Sequence, residues 1–360
     1  MTPRHRFLIR IVLPAALIVF LAAAYSFYWW QVAQRLNAGI SAWTAEQRAA
    51  GATVDYSWNG IGGFPFAFTA DFDDVSLLGS WAGTAISVRT AHLRLTMSPV
   101  DLTAIRLISD KPLTTIIPGL ILDSSAAEGT RLIADQADGQ IDLQNGQLAR
   151  LRIDAGRSKV DNGKAIISAG SMHLGIAFPE TPPRDFKDMA AEIHIGASNV
   201  DLPAGQPQLL PGPILQIGLA GTIKGPILPP QAGDAARPIT NILARWRDSG
   251  GVLDVSRFDF SQGPLSLTGA GTFAFDQNLQ PLGASKVTAV GLGDLIDLMT
   301  ARGQIAGKEA ETAKIVVAGL EKPGASGRPE VTLGLTIQDN IVSFGPLKLA
   351  RLTPIPWPKQ

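Results

Sequence analysis

After Arg4, His5, Arg6 and Arg10 the chain carries about twenty consecutive uncharged residues, Ile11 to Trp30, and no other stretch restricts its fold so tightly. At ~1.5 Å per residue a helix of that length matches a hydrocarbon core of ~30 Å. Pro14 falls in the first turn, where a missing backbone donor does little harm. Tyr25, Phe27, Tyr28, Trp29 and Trp30 form an aromatic belt at the far end. The basic residues precede the span, and the next one is Arg35. The positive-inside rule therefore assigns 1–10 to the cytoplasm, 11–30 to a transmembrane helix and everything later to the outside. Ala22-Ala23-Ala24 also fits the cleavage site of a signal peptide, so removal of this segment is the competing reading. Both readings export the remaining chain.

From 31 to 50 the pattern becomes amphipathic. Val32, Leu36, Ile40 and Trp43 recur at helical spacing, and the helix is expected to end at Gly51. Such a helix either holds the following domain near the bilayer or packs on a sheet.

The exported part, 51–360, reads as mostly β. With 37 Gly, 25 Pro and only 17% charged residues, the chain as a whole suits a turn-rich sheet protein better than a helical one. Its most telling stretch runs from Trp58 to Trp81. Phe64, Phe66, Phe68, Ala70 and Phe72 fall at period two, so a strand through them turns all these side chains to one face. Gly60, Gly62 and Gly63 supply the turn into it, and Pro65 places its start at an edge. This stripe admits two readings: half of a sheet core, or the lining of a groove for an acyl chain. On the second, Phe64, Phe66, Phe68 and Phe72 are the candidate ligand-lining residues.

Alternating segments follow, cut by turn signals. Ile86–Val88 and Leu93–Leu95 form an extended pair, and Ile105–Leu107 and Ile116–Ile117 lie among Pro99, Pro112 and Pro118. Asn145-Gly146 and Asn162-Gly163 each sit between alternating runs, the strongest short-range hairpin signal. Met172, Leu174, Ile176 and Phe178 alternate, as do Ile193 and Ile195. Prolines between Pro203 and Pro230, around one strand at Ile214–Ile223, mark a candidate subdivision near 203–235. A helix from Pro238 carries Ile239, Ile242, Leu243 and Trp246; strands follow at Val252–Phe260 and Leu265–Phe275. Two more helices bear the stripes Leu292, Leu295, Ile296, Met299 and Ala313, Val316, Val317, Leu320. A hairpin of Val331–Ile337 and Ile341–Leu349 turns at Asp339-Asn340, and an extended tail closes the chain. The fold class is α+β, mostly β: a transmembrane helix, then an extended twisted antiparallel sheet with a few amphipathic helices on one face.

Motifs of chemistry are scarce. The chain has no cysteine, which removes disulfides, thiolate catalysis and cysteine metal sites. Its 31 basic and 31 acidic residues cancel, so nucleic acid is not an expected partner. His92, His173 and His194 each alternate with apolar neighbours and are expected on the solvated strand face; no metal-binding spacing is present. Gly269-Ala270-Gly271 lies inside a strand pattern and does not continue as a phosphate-cradling loop. Asp71, Asp73 and Asp74 read as the polar face and end of the phenylalanine strand, not as a calcium loop. No enzymatic activity and no cofactor is expected.

Three stretches together carry a resemblance: Gly-Ile-Gly-Gly-Phe-Pro-Phe at 60–66, the run from Gly269 to Gly283 followed by Leu292-Gly-Asp-Leu-Ile, and Asp339-Asn-Ile-Val-Ser-Phe-Gly-Pro-Leu-Lys-Leu. With the basic-flanked span, the chain resembles an uncharacterised family of single-span alphaproteobacterial envelope proteins, the domain of unknown function two-one-two-five. A weaker, architectural likeness points to the AsmA-like proteins, which extend twisted sheets into the periplasm and whose larger members are thought to move phospholipid. The resemblance implies an inner-membrane, periplasm-facing protein with the bilayer as one partner and phospholipid or another envelope protein as the second. It carries across no catalytic residue. A structural or assembly role through exposed strand edges, and a cell-wall or lipid hydrolase, are the competing functions.

Overall fold

The apolar run and the amphipathic stripe after it form one uninterrupted helix. In the computed structural model α1 spans Pro3–Ala49, 47 residues and about 70 Å long, so Pro14 lies inside the helix and not in its first turn. The structure describes residues 3–81, 84–117, 129–163, 165–203, 210–228, 238–324, 327–344, 347–355 and 357. Gly51, at φ 89°, ends the helix, with Gly51 N–H donating to Arg48 O and Ala52 N–H to Gln47 O. The side chains of Leu13, Leu17, Ile18, Val19, Phe20 and Leu21 are exposed along its first half. Val32, Ala33 and Thr44 are buried in its second half. The stripe at Val32, Leu36 and Ile40 thus packs on the sheet.

The strands form one antiparallel sheet in which most neighbours in sequence are neighbours in space. It begins with β1 (Thr53–Gly62), β2 (Phe68–Trp81) and β3 (Thr84–Ser98). Ile86–Val88 and Leu93–Leu95 are therefore one strand rather than a pair. Next come β4 (Asp101–Ser109) and β5 (Leu113–Ile117), both paired to β3, then β6 (Thr130–Ala134), β7 (Ala137–Gln144), β8 (Gln147–Ala155), β9 (Ser158–Asp161), β10 (Ile166–Ala169) and β11 (Ser171–Ala177). In pairing terms β4–β5, β6–β7, β8–β9 and β10–β11 act as four long strands, each broken at the same level. Asp135 N–H donates to Arg157 O at 2.8 Å and Gly156 N–H to Gln136 O at 3.0 Å across this crease. The small buried side chains Thr90, Ser109 and Ser158 line it. Their hydroxyls are satisfied within it, Thr90 and Ser109 by a mutual 2.8 Å bond, which lets the sheet bend without leaving polar atoms orphaned.

The meander continues through β12 (Met189–Val200), β13 (Ile214–Lys224), β14 (Val252–Gln262), β15 (Leu265–Phe275) and β16 (Pro281–Val290). β13 lies inside the sheet, between β12 and β14. Helix α2 (Pro238–Asp248) interrupts before β14, and α3 (Leu292–Ala301), α4 (Gly307–Leu320) and the two-residue β17 (Lys322–Pro323) intervene before β18 (Pro329–Gln338). The sheet closes with β19 (Ile341–Phe344) and β20 (Leu347–Arg351), which pair with each other. The expected single strand Ile341–Leu349 is thus two. The turn at Asp339-Asn340, with φ of 52° and 59°, is the left-handed pair that a tight hairpin demands.

One expectation needs correcting. Phe64 and Phe66 are not in the strand. Gly63, at φ 92°, starts a tight turn in which Phe66 and Ala67 both donate their N–H to Gly63 O, and extended structure begins only at Phe68. Phe68, Ala70 and Phe72 then alternate as expected, at 2%, 4% and 6% exposure. Phe64 is half exposed and Phe66 is 88% exposed.

Candidate functional site

Cross-strand pairing sets which side chains share a face, and here it produces one apolar surface running across the sheet. Starting at β2, Ala70 pairs with Leu95, Leu95 with Leu107, Ile105 with Ile141, Ile141 with Leu151, Leu151 with Ile176, and Ile176 with Ile193. Beyond β12, Ile195 pairs with Leu219, Leu219 with Phe258, Phe258 with Gly269, Gly269 with Val287 and Val287 with Leu333. At ~4.8 Å per strand, the path from β2 to β19 is about 55–60 Å along the sheet.

Two cavities lie on this face. The first, of about 750 Å³, sits between α1 and strands β1 to β4. Its walls are Leu36, Ile40 and Trp43 from the helix, and Phe68, Phe72, Leu95, Met97 and Leu107 among others from the sheet. Arg35 is the one charged residue lining it. Phe72 is clamped by Trp58, stacked at 5.4 Å and 9°, and by Tyr56, edge-on at 5.1 Å; Trp29 stacks on Phe68 at 5.1 Å. Such aromatic pairs add to the burial already gained and fix the wall of the cavity. The second cavity, of about 630 Å³, lies under α2 against β12 to β16, lined by Leu243, Trp246, Leu253, Phe258, Phe273 and neighbours. Trp246 is anchored there by donating Nε1–H to Lys224 O at 2.8 Å.

Between the cavities only Ile141, Leu151 and Ile176 separate Ile105 of the first from Ile193 of the second. All three are half-buried, and Ile195 and Ile217 nearby are 46% and 44% exposed. A sheet face of this composition ordinarily carries a second layer. Among the described residues, helices approach it only at its two ends.

The opposite face is polar and paired. Arg94 meets Asp71, Arg106 meets Asp138, Arg257 grips Asp259 with two nitrogens at 2.7–2.9 Å, and Lys224 reaches Asp254 at 2.8 Å. Hydrogen bonding to these carboxylates, and then their charge, raises the pKa of Arg94, Arg106 and Arg257. The Lys224 hydrogen bond holds Asp254 below the usual carboxylate range. His92 hydrogen-bonds Asp73 at 2.8 Å and His194 meets Glu192 at 3.3 Å, while His173 covers Gly196. Among the described residues no group of three or more acidic or histidine side chains is placed to hold a metal ion. Asp71 and Asp73 lie on the polar face of β2, and Asp74 adopts a left-handed φ of 53°.

Of the four candidate lining residues, Phe68 and Phe72 form part of the first cavity's wall. Phe64 and Phe66 sit outside it, on the turn before β2. Sequence reasoning missed the second cavity entirely. Its signal was present in Phe258, Phe260, Phe273 and Phe275, which repeat the period-two aromatic pattern of β2. Arg35, noted in the sequence only as the first basic residue after the span, also lines the first cavity.

Helix and sheet together define a class: an N-terminal helix long and apolar enough to cross a membrane, joined to a mostly β domain built on one open antiparallel sheet with an apolar face. Within that class the chain belongs to the family described as "Uncharacterized protein conserved in bacteria (DUF2125)", which it matches over residues 29–353. No curated protein and no solved structure matches it.

Proposed function

We propose that this is a membrane-anchored, non-enzymatic lipid-binding protein, with α1 crossing the inner membrane and the sheet exposed to the periplasm. The observation that carries the reading is the open apolar face, joining two cavities whose walls are almost wholly hydrocarbon. Ligand sites are typically concave, mostly apolar and supplied with a few placed polar groups. The first cavity fits that description, with Arg35 positioned near the end of the membrane span as the partner for an anionic headgroup. The basic residues before Ile11 support the inside-to-outside orientation. The exposed apolar side chains from Leu13 to Leu21 support insertion of the helix. On the sheet, the pairs Arg94–Asp71, Arg106–Asp138, Arg257–Asp259 and Lys224–Asp254 all lie on the face opposite the apolar one, which favours binding over catalysis there. It is also the arrangement that the AsmA-like resemblance implies.

Lipid extraction and native mass spectrometry of the purified intact chain test this. Phospholipid is expected to accompany the wild-type protein and to fall about tenfold in Leu151→Glu and Ile176→Glu, since a charge on an apolar wall carries a desolvation penalty of several kcal/mol. Equal lipid in wild type and both folded variants would refute the groove.

A further inference from the structure

Among the described residues, the two most exposed large apolar side chains of the domain lie on neighbouring turns at one end of the sheet. Phe66, 88% exposed, is on the β1–β2 turn, and Val100, 95% exposed, is on the β3–β4 turn. Phe68 pairs with Met97 and Ser98 with Asp101, so the two turns are neighbours at the same edge. Solvent exposure of single apolar residues is ordinary. What sets these apart is what holds them.

Both turns are tied to the aromatic belt of α1. Tyr25 donates its hydroxyl to Pro65 O, Tyr28 to Pro99 O at 2.9 Å, and Trp29 donates Nε1–H to Ala67 O at 3.2 Å. Phe64 packs edge-on against Trp29 at 5.4 Å and near Tyr25 at 6.2 Å. Between Tyr25 and Trp29 the helix rises only about 6 Å, at ~1.5 Å per residue. Those residues are the last turn or so of the apolar span Ile11–Trp30. The helix therefore fixes the tips at the depth where its own apolar stretch ends. Phe27 and Trp30, in the same slab, are 61% and 54% exposed.

We infer that the Phe64–Phe66 and Pro99–Val100 turns are a second membrane contact, with Phe66 and Val100 set into the headgroup and upper acyl region of the outer surface of the bilayer beside α1. This rests on the reading that Ile11–Trp30 crosses the membrane. The occupant is the bilayer because the patch is continuous with the belt of a membrane span. Aromatic and aliphatic side chains at that level gain from an interface that water alone does not offer. The contact also has a geometric consequence. Phe68, Met97 and Leu102, at the lower end of the first cavity, directly adjoin the two turns, so that end of the cavity lies beside the bilayer surface.

The absence of cysteine makes the test clean, because each introduced thiol labels one place. Full-length Phe66→Cys, Val100→Cys, Phe20→Cys and Lys111→Cys variants carry an environment-sensitive fluorophore and are reconstituted in phosphatidylethanolamine–phosphatidylglycerol vesicles. One set of vesicles bears a nitroxide near the glycerol end of the acyl chain, which reads 66, 100 and 111, and a second bears it near the terminal methyl, the depth expected of Phe20. Lys111 follows β4 at the end of the strand opposite Val100, and Phe20 lies within the span. The inference predicts that labels at 66 and 100 are blue-shifted and quenched about threefold more than the label at 111, consistent with insertion of ~5–10 Å. Quenching at 20 with either 66 or 100 at the level of 111 overturns the inference and leaves the anchor standing. No quenching at 20 overturns the anchor itself, and the inference with it.

Discussion

Phe72 is held face-to-face by Trp58 and edge-on by Tyr56, while Phe66, in the same aromatic run, touches mostly solvent. Truncating each separates the two roles. Phe72→Ala should destabilise the fold by about 3–5 kcal/mol, the usual loss for a buried ring whose neighbours cannot collapse. Phe66→Ser should change stability by less than ~0.5 kcal/mol, as surface substitutions do. Denaturant unfolding followed by tryptophan fluorescence checks both; similar losses would mean that the turn is packed after all. On the polar face, Lys224 and Asp254 give a pH prediction. The Lys224 hydrogen bond lowers Asp254's pKa in the folded chain relative to the unfolded one. Its stabilising contribution is therefore complete above the ordinary carboxylate pKa and disappears as pH falls through the lower folded value. Because both side chains are a third or more exposed, at 34% and 45%, that contribution is small. Lys224→Met should move the Asp254 titration upward toward the ordinary value, measured by carboxyl-carbon NMR; an unmoved titration would place the cause elsewhere.

At the scale of elements, the parts legible in the sequence were those with a local physical cause. Asn145-Gly146 and Asp339-Asn340 announce hairpins because their left-handed backbone is nearly unavailable to other residues, and the structure has both, with Asn145 at φ 53° and Gly146 at 77°. Helices α2, α3 and α4 were equally plain, although Val316 and Leu320 of the expected α4 stripe are exposed and Ala310 is the residue it buries. Elsewhere the local pattern misled or was silent. Periodicity carried the phenylalanine strand back through Phe64 because it is blind to a turn whose residues happen to continue the pattern. β16 escaped because Gly283, Ser285 and Ala289 carry too little side chain to show alternation. Their counterparts across the strand supply the bulk instead: a Cβ on Gly283 would lie 2.7 Å from the Phe273 ring, and one on Gly269 would lie 2.5 Å from Phe258 and 2.6 Å from Lys286 O. Aromatic side chains lying over strand glycines are a recognised way of filling a sheet face. Gly269 and Gly271 are thus packing glycines. Gly269→Val should cost about 1–3 kcal/mol or more through overpacking, read as a drop in Tm. A neutral substitution would show that the Phe258 ring does not rest there.

For the whole molecule, helix and sheet act as one device. The second half of α1 forms a wall of the first cavity, so one continuous helix carries both the exposed apolar segment Leu13–Leu21 and part of that wall. The sheet's length came from many short pairings that no single stretch of sequence reveals, and the continuity of its apolar face emerged only once registers aligned Ile105, Ile141, Leu151 and Ile176. The most direct test of the account places a photoreactive benzoylphenylalanine at Leu151 or Ile176, and at Arg152 on the opposite face, in the intact chain within its native membrane. Irradiation should yield phospholipid adducts at Leu151 and Ile176, at least about tenfold above Arg152, since the two faces differ in whether hydrocarbon is favoured there. Protein adducts without lipid at Leu151 and Ile176, or equal yields on both faces, would contradict lipid binding and favour assembly with another envelope protein.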